Sequence, residues 1–258
     1  MPRVHWQCSQ GTAIVTIDNV ERRNAMTLSM WEQLRSVFDE VRADDSVRAV
    51  IVNGAGGEAF VSGADISQFA EERGSPERAA HYNRVVALAE EAVVLCPVPV
   101  IAAIAGPCFG GGVSIATACD LRIGSPESTF RVPAARLGLG YGLQATGRLA
   151  RLIGEARAAE MLFAARTLDA PQARDWGLLG AVEASPLAAA TRLAHAIADN
   201  APLAVRAAKS CLRACANPED GARRERAAEA VARCFASDDY AEGYRAFLEK
   251  RSPRFVGR

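Results

Sequence analysis

The stretch Gly106-Pro-Cys-Phe-Gly-Gly-Gly-Val-Ser-Ile-Ala-Thr-Ala-Cys-Asp120 contains three consecutive glycines. The run before it, Val98–Ala105, is apolar and rich in β-branched residues, which predicts a strand buried on both faces. The run after the glycines, Val113–Ala118, is small and apolar and predicts a helix. Each glycine in a folded segment costs backbone entropy, so three together imply a need for bare backbone. At a strand-to-helix junction that backbone presents free N–H groups near a positive helix end, which suits a phosphate or a developing oxyanion.

Two common nucleotide-binding motifs do not fit the glycine-rich segments. The spacing of Gly106–Gly112 differs from the GxGxxG pattern of dinucleotide sites, and Gly138–Gly142 has Leu143 where the third glycine belongs. A P-loop requires lysine after the last glycine, and Val113 stands there instead. The oxyanion interpretation therefore becomes the more specific one.

A second glycine-bearing loop, Gly57-Glu-Ala-Phe-Val-Ser-Gly-Ala-Asp-Ile66, also follows a predicted strand. Ligand sites of α/β proteins lie at such strand ends. If both loops face one pocket, the N–H groups of Ala64 and Gly111 converge on one oxygen and stabilise an enolate or a tetrahedral oxyanion. A purely structural turn remains the alternative for either loop alone.

Composition limits the classes of function. The chain has 258 residues with 30 Lys plus Arg against 30 Asp plus Glu, and this zero net charge argues against general nucleic-acid binding. No apolar run is long enough to cross a bilayer, and the N-terminus lacks the apolar stretch of a signal peptide, so we expect a cytoplasmic protein. We expect reduced, mostly buried thiols and no metal site, because no CxxC pair occurs among Cys8, Cys96, Cys108, Cys119, Cys211, Cys215 and Cys234.

Strand and helix patterns alternate over roughly the first 140 residues, and the chain is mainly helical from about Leu143 onward. This order predicts an α/β core with a helical extension. The individual predictions are a hairpin of Val4–Gln7 and Ala13–Ile17, a helix capped by Ser29, strands at Val47–Asn53 and Ala59–Val61, a helix over Pro76–Leu95, short strands at Leu121–Ile123 and Thr129–Val132, and a non-helical segment at Gly180–Glu183.

Several of these segments, in this order, resemble those of the crotonase superfamily, also called the enoyl-CoA hydratase/isomerase family. The resemblance covers essentially the whole chain, and each segment is weak alone but specific in combination. The segments are Glu21–Met26, Ala59–Ile66, Ala105–Gly112, Cys119-Asp120 and Ala241–Phe255.

The resemblance implies a crotonase-like spiral of ββα units that carries the acyl-CoA site, which we assign to residues 1–195. It implies a helical oligomerisation region, which we assign to residues 196–258, and a homotrimer or a hexamer made of two trimers. The ligand it implies is an acyl-CoA thioester. No tightly bound cofactor is expected, because coenzyme A enters as part of the substrate.

The same resemblance implies roles for individual residues. The family's oxyanion-hole N–H groups correspond to Ala64 and Gly111, with Gly110 in the same loop. Its C-terminal Phe and Lys, near the phosphates or pantetheine of coenzyme A, correspond to Phe247 and Lys250. Its adenine pocket corresponds to Asn24, Ala25, Met26, Ala64, Asp65 and Ile66.

The sequence departs from the family at the acid and base. Hydratases of the family activate a water with two glutamates, and the corresponding positions here are Ser114 and Ala134. Since a general acid or base contributes about 10²–10⁴-fold, ordinary hydration should be severely impaired. The remaining candidates are Ser114 and Tyr141 as catalytic groups and Arg136 as a ligand of a substrate carboxylate, with structural roles as the alternative for each. Weaker candidates are Asp65, His81, Cys108 and Gln144.

Three functions stay open from the sequence. The first is an enoyl-CoA hydratase/isomerase-like enzyme that stabilises a thioester enolate between backbone N–H groups. The second is decarboxylation, or other chemistry, of a carboxylated thioester, because forming an enolate by loss of carbon dioxide requires no base; Arg136 motivates this alternative. The third is a non-catalytic acyl-CoA-binding paralogue.

Overall fold

Two β-sheets organise the first 182 residues, and the computed structural model describes residues 1–258. The larger sheet has six strands in the order β1-β2-β3-β4-β6-β9, and the smaller has three in the order β5-β7-β8. All neighbours are parallel except β1 with β2 and β7 with β8. The strands are β1 Arg3–Ser9, β2 Thr12–Asp18, β3 Ala49–Gly54, β4 Val100–Ile104, β5 Pro107–Phe109, β6 Leu121–Gly124, β7 Thr129–Arg131, β8 Leu168–Asp169 and β9 Ala181–Val182.

Eleven α-helices accompany the sheets, and none of them is both long and apolar enough to span a bilayer. Three short 3₁₀ turns occupy Val20–Arg22, Ile66–Gln68 and Ala134–Leu137. The helices are α1 Leu28–Ala43, α2 Phe69–Glu72, α3 Pro76–Leu95, α4 Gly111–Ala118, α5 Leu143–Ile153, α6 Glu155–Phe163, α7 Ala170–Asp175, α8 Pro186–Ala198, α9 Pro202–Cys215, α10 Gly221–Phe235 and α11 Asp238–Glu249.

The N-terminal hairpin is confirmed, and its turn explains the pairing of β1 with β2. Gln10 and Gly11 both have positive φ angles, 51° and 75°. Two left-handed central residues are the pattern of the two-residue turn that matches the twist of paired strands. The register that follows places Val4 opposite Ile17 and Ser9 opposite Thr12.

Helix α1 starts one residue earlier than the predicted Ser29 cap, so that prediction is wrong. Thr27 is the cap: its hydroxyl accepts the N–H of Met30 at 3.2 Å. A cap must precede the first helical turn with an extended backbone, which Thr27 has and Ser29, inside the helix, does not. The helix packs through an apolar face, because Trp31, Leu34, Val37, Phe38 and Val41 are all buried.

The predicted strand at Ala59–Val61 does not form. These three residues are buried, but only Val61 forms a bridge, to Cys108 of β5. Phe60 and Val61 both donate to the carbonyl of Pro107, but no strand ladder extends along the segment, so its apolar pattern reports burial rather than a strand. The short strand β5 also separates the predicted strand at 98–105 from the glycines, so the glycine junction joins β5 to α4.

The C-terminal helices are tied to the core by buried polar contacts. Lys209 on α9 donates to the carbonyl of Val98 at 2.6 Å and pairs with Asp120. The predicted division after residue 195 falls inside α8, a helix that packs on the six-stranded sheet. A role of residues 196–258 in oligomerisation stays a prediction.

Candidate functional site

A cavity of about 510 Å³ lies where the two glycine loops meet helix α3 and the segment 132–145. Both loops contribute to its wall, Ser62–Ala64 from the first and Gly110-Gly111 from the second. Just over half of its 26 lining residues are hydrophobic. An apolar cleft with a few convergent polar groups is the usual form of a small-molecule site.

Two backbone donors on this wall have no acceptor within the protein. The N–H of Ala64 forms no backbone hydrogen bond, because the bridge between Met26 and Ala64 uses the N–H groups of Met26 and Asp65 instead. The N–H of Gly111 belongs to the first residue of α4, which has no intrahelical acceptor. The cavity therefore carries two unused N–H donors, one of them at the positive end of a helix.

Close packing explains why this loop is built of glycine. Gly110 has a φ of 49°, in the left-handed region that favours glycine. A Cβ on Gly112 would lie 2.4 Å from the carbonyl oxygen of Val61, so the two loops touch through bare backbone. A Cβ on Gly111 would lie 2.9 Å from the Trp31 ring. The glycines thus bring α4 against the first loop and onto the indole.

Ser114 and Ala134, at the two positions where the resemblance implies glutamates, both line the cavity. Ser114 is buried, and its hydroxyl donates to the carbonyl of Gly111 at 2.8 Å. Ala134 begins the 3₁₀ turn that follows β7. A neutral serine hydroxyl is a very weak base and alanine has no proton-accepting group, so neither position supplies a base.

Tyr141 lies on the cavity and is tied to the glycine loop. Its hydroxyl donates to the carbonyl of Gly110 at 3.2 Å. Burial raises the pKa of Tyr141 well above its ordinary value, and the negative charge of Glu90 adds to the increase. The phenol therefore stays protonated at neutral pH and acts as a hydrogen-bond donor, not as a base.

Helix α3 presents one face to the cavity. Tyr82, Val86 and Glu90 are spaced four residues apart and line it together. The Tyr82 hydroxyl accepts the indole N–H of Trp31 at 3.1 Å, which connects this face to the packing under Gly111. Glu90 is 6% exposed and pairs with Arg148 of α5. It is the only acidic residue on the cavity wall.

Arg73 is a second charged group on the wall. Its guanidinium lies over the rings of Phe69 and Tyr82, 4.5 and 3.9 Å from their centroids. It forms no ion pair, and its Nε is buried without a hydrogen-bond acceptor. The cavity thus has a cation without a carboxylate partner.

Several predicted residues lie away from the cavity. Arg136 is exposed in the 3₁₀ turn at 134–137 and is not among the residues that line the cavity, and its predicted contact with a substrate carboxylate stays a prediction. His81 is exposed on the opposite side of α3 from Glu90's face. Cys108 is fully buried, and burial raises the pKa of its thiol well above the ordinary value, which makes it inert.

Most of the residues expected near adenine are buried or stabilise the loop structure, and one of them is exposed on the cavity wall. Asn24 is buried and donates to the carbonyls of Ala55 and Ala59, so its amide holds the loop. Asp65 caps the following turn through the N–H and hydroxyl of Ser67. Ala25 and Met26 are buried, whereas Ile66 is 64% exposed and lines the cavity.

The two residues expected near coenzyme A from the C-terminus do not reach this cavity. Phe247 on α11 is 82% exposed, and Lys250 follows the helix in the left-handed conformation. Neither belongs to the wall of the cavity. Their predicted contact with coenzyme A stays a prediction.

A family model described as enoyl-CoA hydratase/isomerase matches residues 7–258. The chain belongs to the enoyl-CoA hydratase/isomerase family. It is 35% identical over 243 residues to the short-chain-enoyl-CoA hydratase of Clostridium acetobutylicum, covering 93% of this chain and 92% of that protein. It is 35% identical over 208 residues to the mouse mitochondrial Delta(3,5)-Delta(2,4)-dienoyl-CoA isomerase, covering 76% and 63%.

Solved structures of this family confirm the fold prediction. A crystal structure of an enoyl-CoA hydratase/carnithine racemase from Magnetospirillum magneticum superposes with a TM-score of 0.93 at 35% identity, over 100% of this chain and 97% of that one. The α/β core with C-terminal helices is therefore the crotonase fold of the enoyl-CoA hydratase/isomerase family.

Sequence reasoning missed Glu90, Arg148 and Arg73. The signal for Glu90 was present: it continues the four-residue spacing of Tyr82 and Val86 on the face of α3 that turns inward. A charged residue on a helix is usually exposed to solvent. Glu90 differs because it pairs with Arg148 on α5, which lies 58 positions away in the sequence.

Proposed function

We propose that the protein is an enzyme of the hydratase/isomerase type that acts on acyl-CoA thioesters and stabilises a thioester enolate. The observation that carries the proposal is the pair of unused N–H donors of Ala64 and Gly111 on one largely apolar cavity. The thioester oxygen accepts both hydrogen bonds, and the acyl chain lies along the α3 face.

The chemistry follows from where negative charge develops. When a proton leaves the α-carbon, or a nucleophile adds to the β-carbon, an electron pair moves onto the thioester oxygen. Fixed N–H donors stabilise that oxyanion more than the neutral carbonyl, and losing one donor costs about 2.7–4 kcal/mol of barrier. The positive end of α4 favours the same charge.

Coenzyme A enters this proposal as part of the substrate, and no separate tightly bound cofactor is invoked. The assembly we propose is a trimer, or a hexamer of two trimers, built through the C-terminal helices. Large apolar side chains on α10 and α11 are exposed in the single chain, which supports their burial between subunits. They are Phe235, Tyr244, Phe247 and Leu248.

The experiment compares Gly111→Pro with Gly111→Ala. Both variants place a Cβ against Trp31, but only proline removes the N–H. Rates are measured for hydration of crotonyl-CoA and for isomerisation of 3-butenoyl-CoA. We expect Gly111→Pro to be at least about 100-fold slower than Gly111→Ala. Equal rates in the two variants would remove the oxyanion role of this N–H.

Binding measurements separate this proposal from the non-catalytic alternative. Titration calorimetry with butanoyl-CoA reports whether each variant still binds a CoA ester, and circular dichroism reports whether it is folded. If the unmodified protein binds butanoyl-CoA but turns over no acyl-CoA in a broad panel read by mass spectrometry, the binding-only function replaces the enzymatic one.

Arg73 favours a second candidate, a thioester that carries a carboxylate. An unpaired guanidinium on an apolar wall suits an anionic group of the acyl chain. In decarboxylation the electrons of the breaking carbon–carbon bond move to the thioester oxygen, carbon dioxide leaves, and water supplies the proton that the carbon then takes up. Arg73 replaces Arg136 as the residue that motivates this candidate.

Arg73→Met tests this second candidate, with Arg84→Met as the matched control because Arg84 is exposed on α3. Affinities are measured for malonyl-, succinyl- and glutaryl-CoA and for uncharged butanoyl-CoA. A charge-assisted hydrogen bond predicts a loss of about 10–100-fold for a carboxylated ester in Arg73→Met alone. A uniform loss for all four esters, or no loss, would leave the carboxylate preference without support.

A further inference from the structure

The proposed chemistry needs a group that takes up and returns a proton, and the cavity wall offers few. Arg73 is a permanent cation, and the amides of Asn83 and Gln144 accept no proton at neutral pH. Ser114 and Tyr141 donate their hydroxyl protons to the backbone of the glycine loop. The only carboxylate on the wall is Glu90.

Glu90 is held in the cavity wall by an ion pair that leaves one of its carboxylate oxygens without a hydrogen bond. One carboxylate oxygen accepts a single hydrogen bond from Arg148, and the other oxygen accepts none. The side chains of Glu90 and Arg148 are only 8% and 11% exposed. A buried ion pair that serves stability alone satisfies its remaining lone pairs, and this one leaves an oxygen available.

The surroundings of Glu90 connect it to the glycine loop. Glu90 and Tyr141 line the same cavity, where burial and then the negative charge of Glu90 raise the pKa of Tyr141, and the Tyr141 hydroxyl donates to the carbonyl of Gly110. Gly110 adjoins the N–H donor of Gly111, and Ser114, in the family's glutamate position, lies one turn further along the same helix. Glu90 on α3 thus lines the same cavity as position 114, where the resemblance implies a glutamate.

We propose that Glu90 is the proton-transferring group of this enzyme, replacing the glutamates absent at positions 114 and 134, and that Arg148 is its positioning residue. This inference rests on the proposed function. With 3-butenoyl-CoA, the carboxylate takes a proton from C2, and the electron pair of that bond delocalises onto the thioester oxygen between the two N–H donors. The protonated Glu90 then delivers the proton to C4, the double bond moves to C2–C3, and the carboxylate is restored. One carboxyl group completes the cycle without any further reactant.

The test uses isomerisation of 3-butenoyl-CoA to crotonyl-CoA by the full-length chain. Glu90→Gln keeps an oxygen that can accept the hydrogen bond of Arg148 but removes the base. We expect its turnover number to fall about 10²–10⁴-fold with little change in KM. Glu91→Gln is the matched control, because Glu91 is the exposed neighbour on the same helix and should retain full activity.

Chemical rescue distinguishes proton transfer from a structural role. Glu90→Ala leaves a space beside Arg148 that a small carboxylate can enter. We expect added formate to restore turnover in Glu90→Ala in a dose-dependent way, and to have no effect on Glu90→Gln. Thermal unfolding and butanoyl-CoA binding establish that each variant is folded, and Glu90→Asp provides a second variant that retains the carboxylate.

The outcomes separate this inference from the proposed function. If the unmodified protein isomerises the substrate and Glu90→Gln does so at a similar rate, Glu90 is not the proton carrier and the proposed function stands. A different pattern would give Glu90 a structural role instead of proton transfer. In that pattern Glu90→Gln is folded and binds the ester but is inactive, formate does not restore the activity of Glu90→Ala, and Glu90→Asp is inactive as well. If the unmodified protein acts on no acyl-CoA, both proposals fail.

Discussion

The two most buried ion pairs of the molecule, Glu90–Arg148 and Asp120–Lys209, are built differently. The ammonium of Lys209 is held by Asp120 and the Val98 carbonyl, and the same Asp120 oxygen accepts the N–H of Val100 at 2.7 Å. That cluster joins α9 to the start of β4. Glu90 instead accepts one hydrogen bond, and the Nε of Arg148 is buried without an acceptor.

The Asp120–Lys209 pair therefore stabilises the fold, whereas the Glu90–Arg148 pair contributes little to stability. Removing one partner of a buried pair is costly, whereas a complete pair gains little over apolar residues of similar size. The Asp120 cluster also satisfies two backbone groups, so it contributes to stability beyond the pair itself. The Glu90 pair satisfies none, which points to a function at the cavity as the reason for its charge.

Among single substitutions, the largest effect on stability is expected from Asp120→Ala. It leaves the Lys209 ammonium buried with one carbonyl and leaves the Val100 N–H without its acceptor. Because the Asp120 side chain is 32% exposed, we take the lower end of the usual range and expect a loss of about 3 kcal/mol in the free energy of unfolding by urea. Asp39→Ala, an exposed aspartate on α1, should cost no more than about 1 kcal/mol. An unchanged urea midpoint in Asp120→Ala would overturn the comparison.

Double replacement by leucine compares the two pairs directly. Glu90→Leu with Arg148→Leu should change the unfolding free energy by less than about 1 kcal/mol, because no backbone group loses a partner, while isomerase activity disappears. Asp120→Leu with Lys209→Leu should cost about 1–3 kcal/mol for each of the two backbone groups left unpaired, and activity per folded molecule should persist. Equal destabilisation of the two double variants would mean that both pairs are structural.

The sequence was a good guide where local signals agree. Helix α3 spans Pro76–Leu95 as predicted, because Ser75 caps it, Pro76 fits its first turn and Pro97 follows its end. The predicted loops of Ala64 and Gly111 both line one cavity, as their positions after strands suggested. Local chemistry is sufficient for such features because the residues that decide them are neighbours in the chain.

Features that depend on distant partners were not predictable in this way. Ala59–Val61 has the pattern of a strand, but it is buried by contact with β5 and not by a sheet of its own. Arg136 lies in the segment that borders the cavity, yet the 3₁₀ turn directs it to solvent, while Arg73 enters from α2's end. The pairing of Glu90 with Arg148 depends on how α5 returns to α3, which no local pattern encodes.

Tyr141→Phe should have a smaller effect on the free energy of unfolding, and that effect should depend on pH in the alkaline range. At neutral pH it loses the hydrogen bond to Gly110, a deficit of about 1 kcal/mol. Burial raises the pKa of Tyr141 above its ordinary value of 10.0, so the folded state keeps its proton while the unfolded chain ionises. The folded state then binds more protons at this residue, so the contribution of Tyr141 to stability falls as the pH rises past about 10. The deficit of Tyr141→Phe should therefore shrink above that pH.

The contribution of Lys209 to stability should change with pH in the direction opposite to that of Tyr141. Burial lowers the pKa of Lys209 below its ordinary value of 10.5, so the folded state releases its proton before the unfolded chain does. The unfolded chain then binds more protons, and this residue contributes stability that increases with pH up to about 10.5. Urea unfolding of the unmodified protein, Tyr141→Phe and Lys209→Met at several values between about pH 8 and 11 measures both trends. Burial disfavours the charged form at both sites, but that form is the deprotonated phenol in Tyr141 and the protonated ammonium in Lys209, so the two curves should bend in opposite directions. Parallel curves for the two variants would contradict these two burial effects.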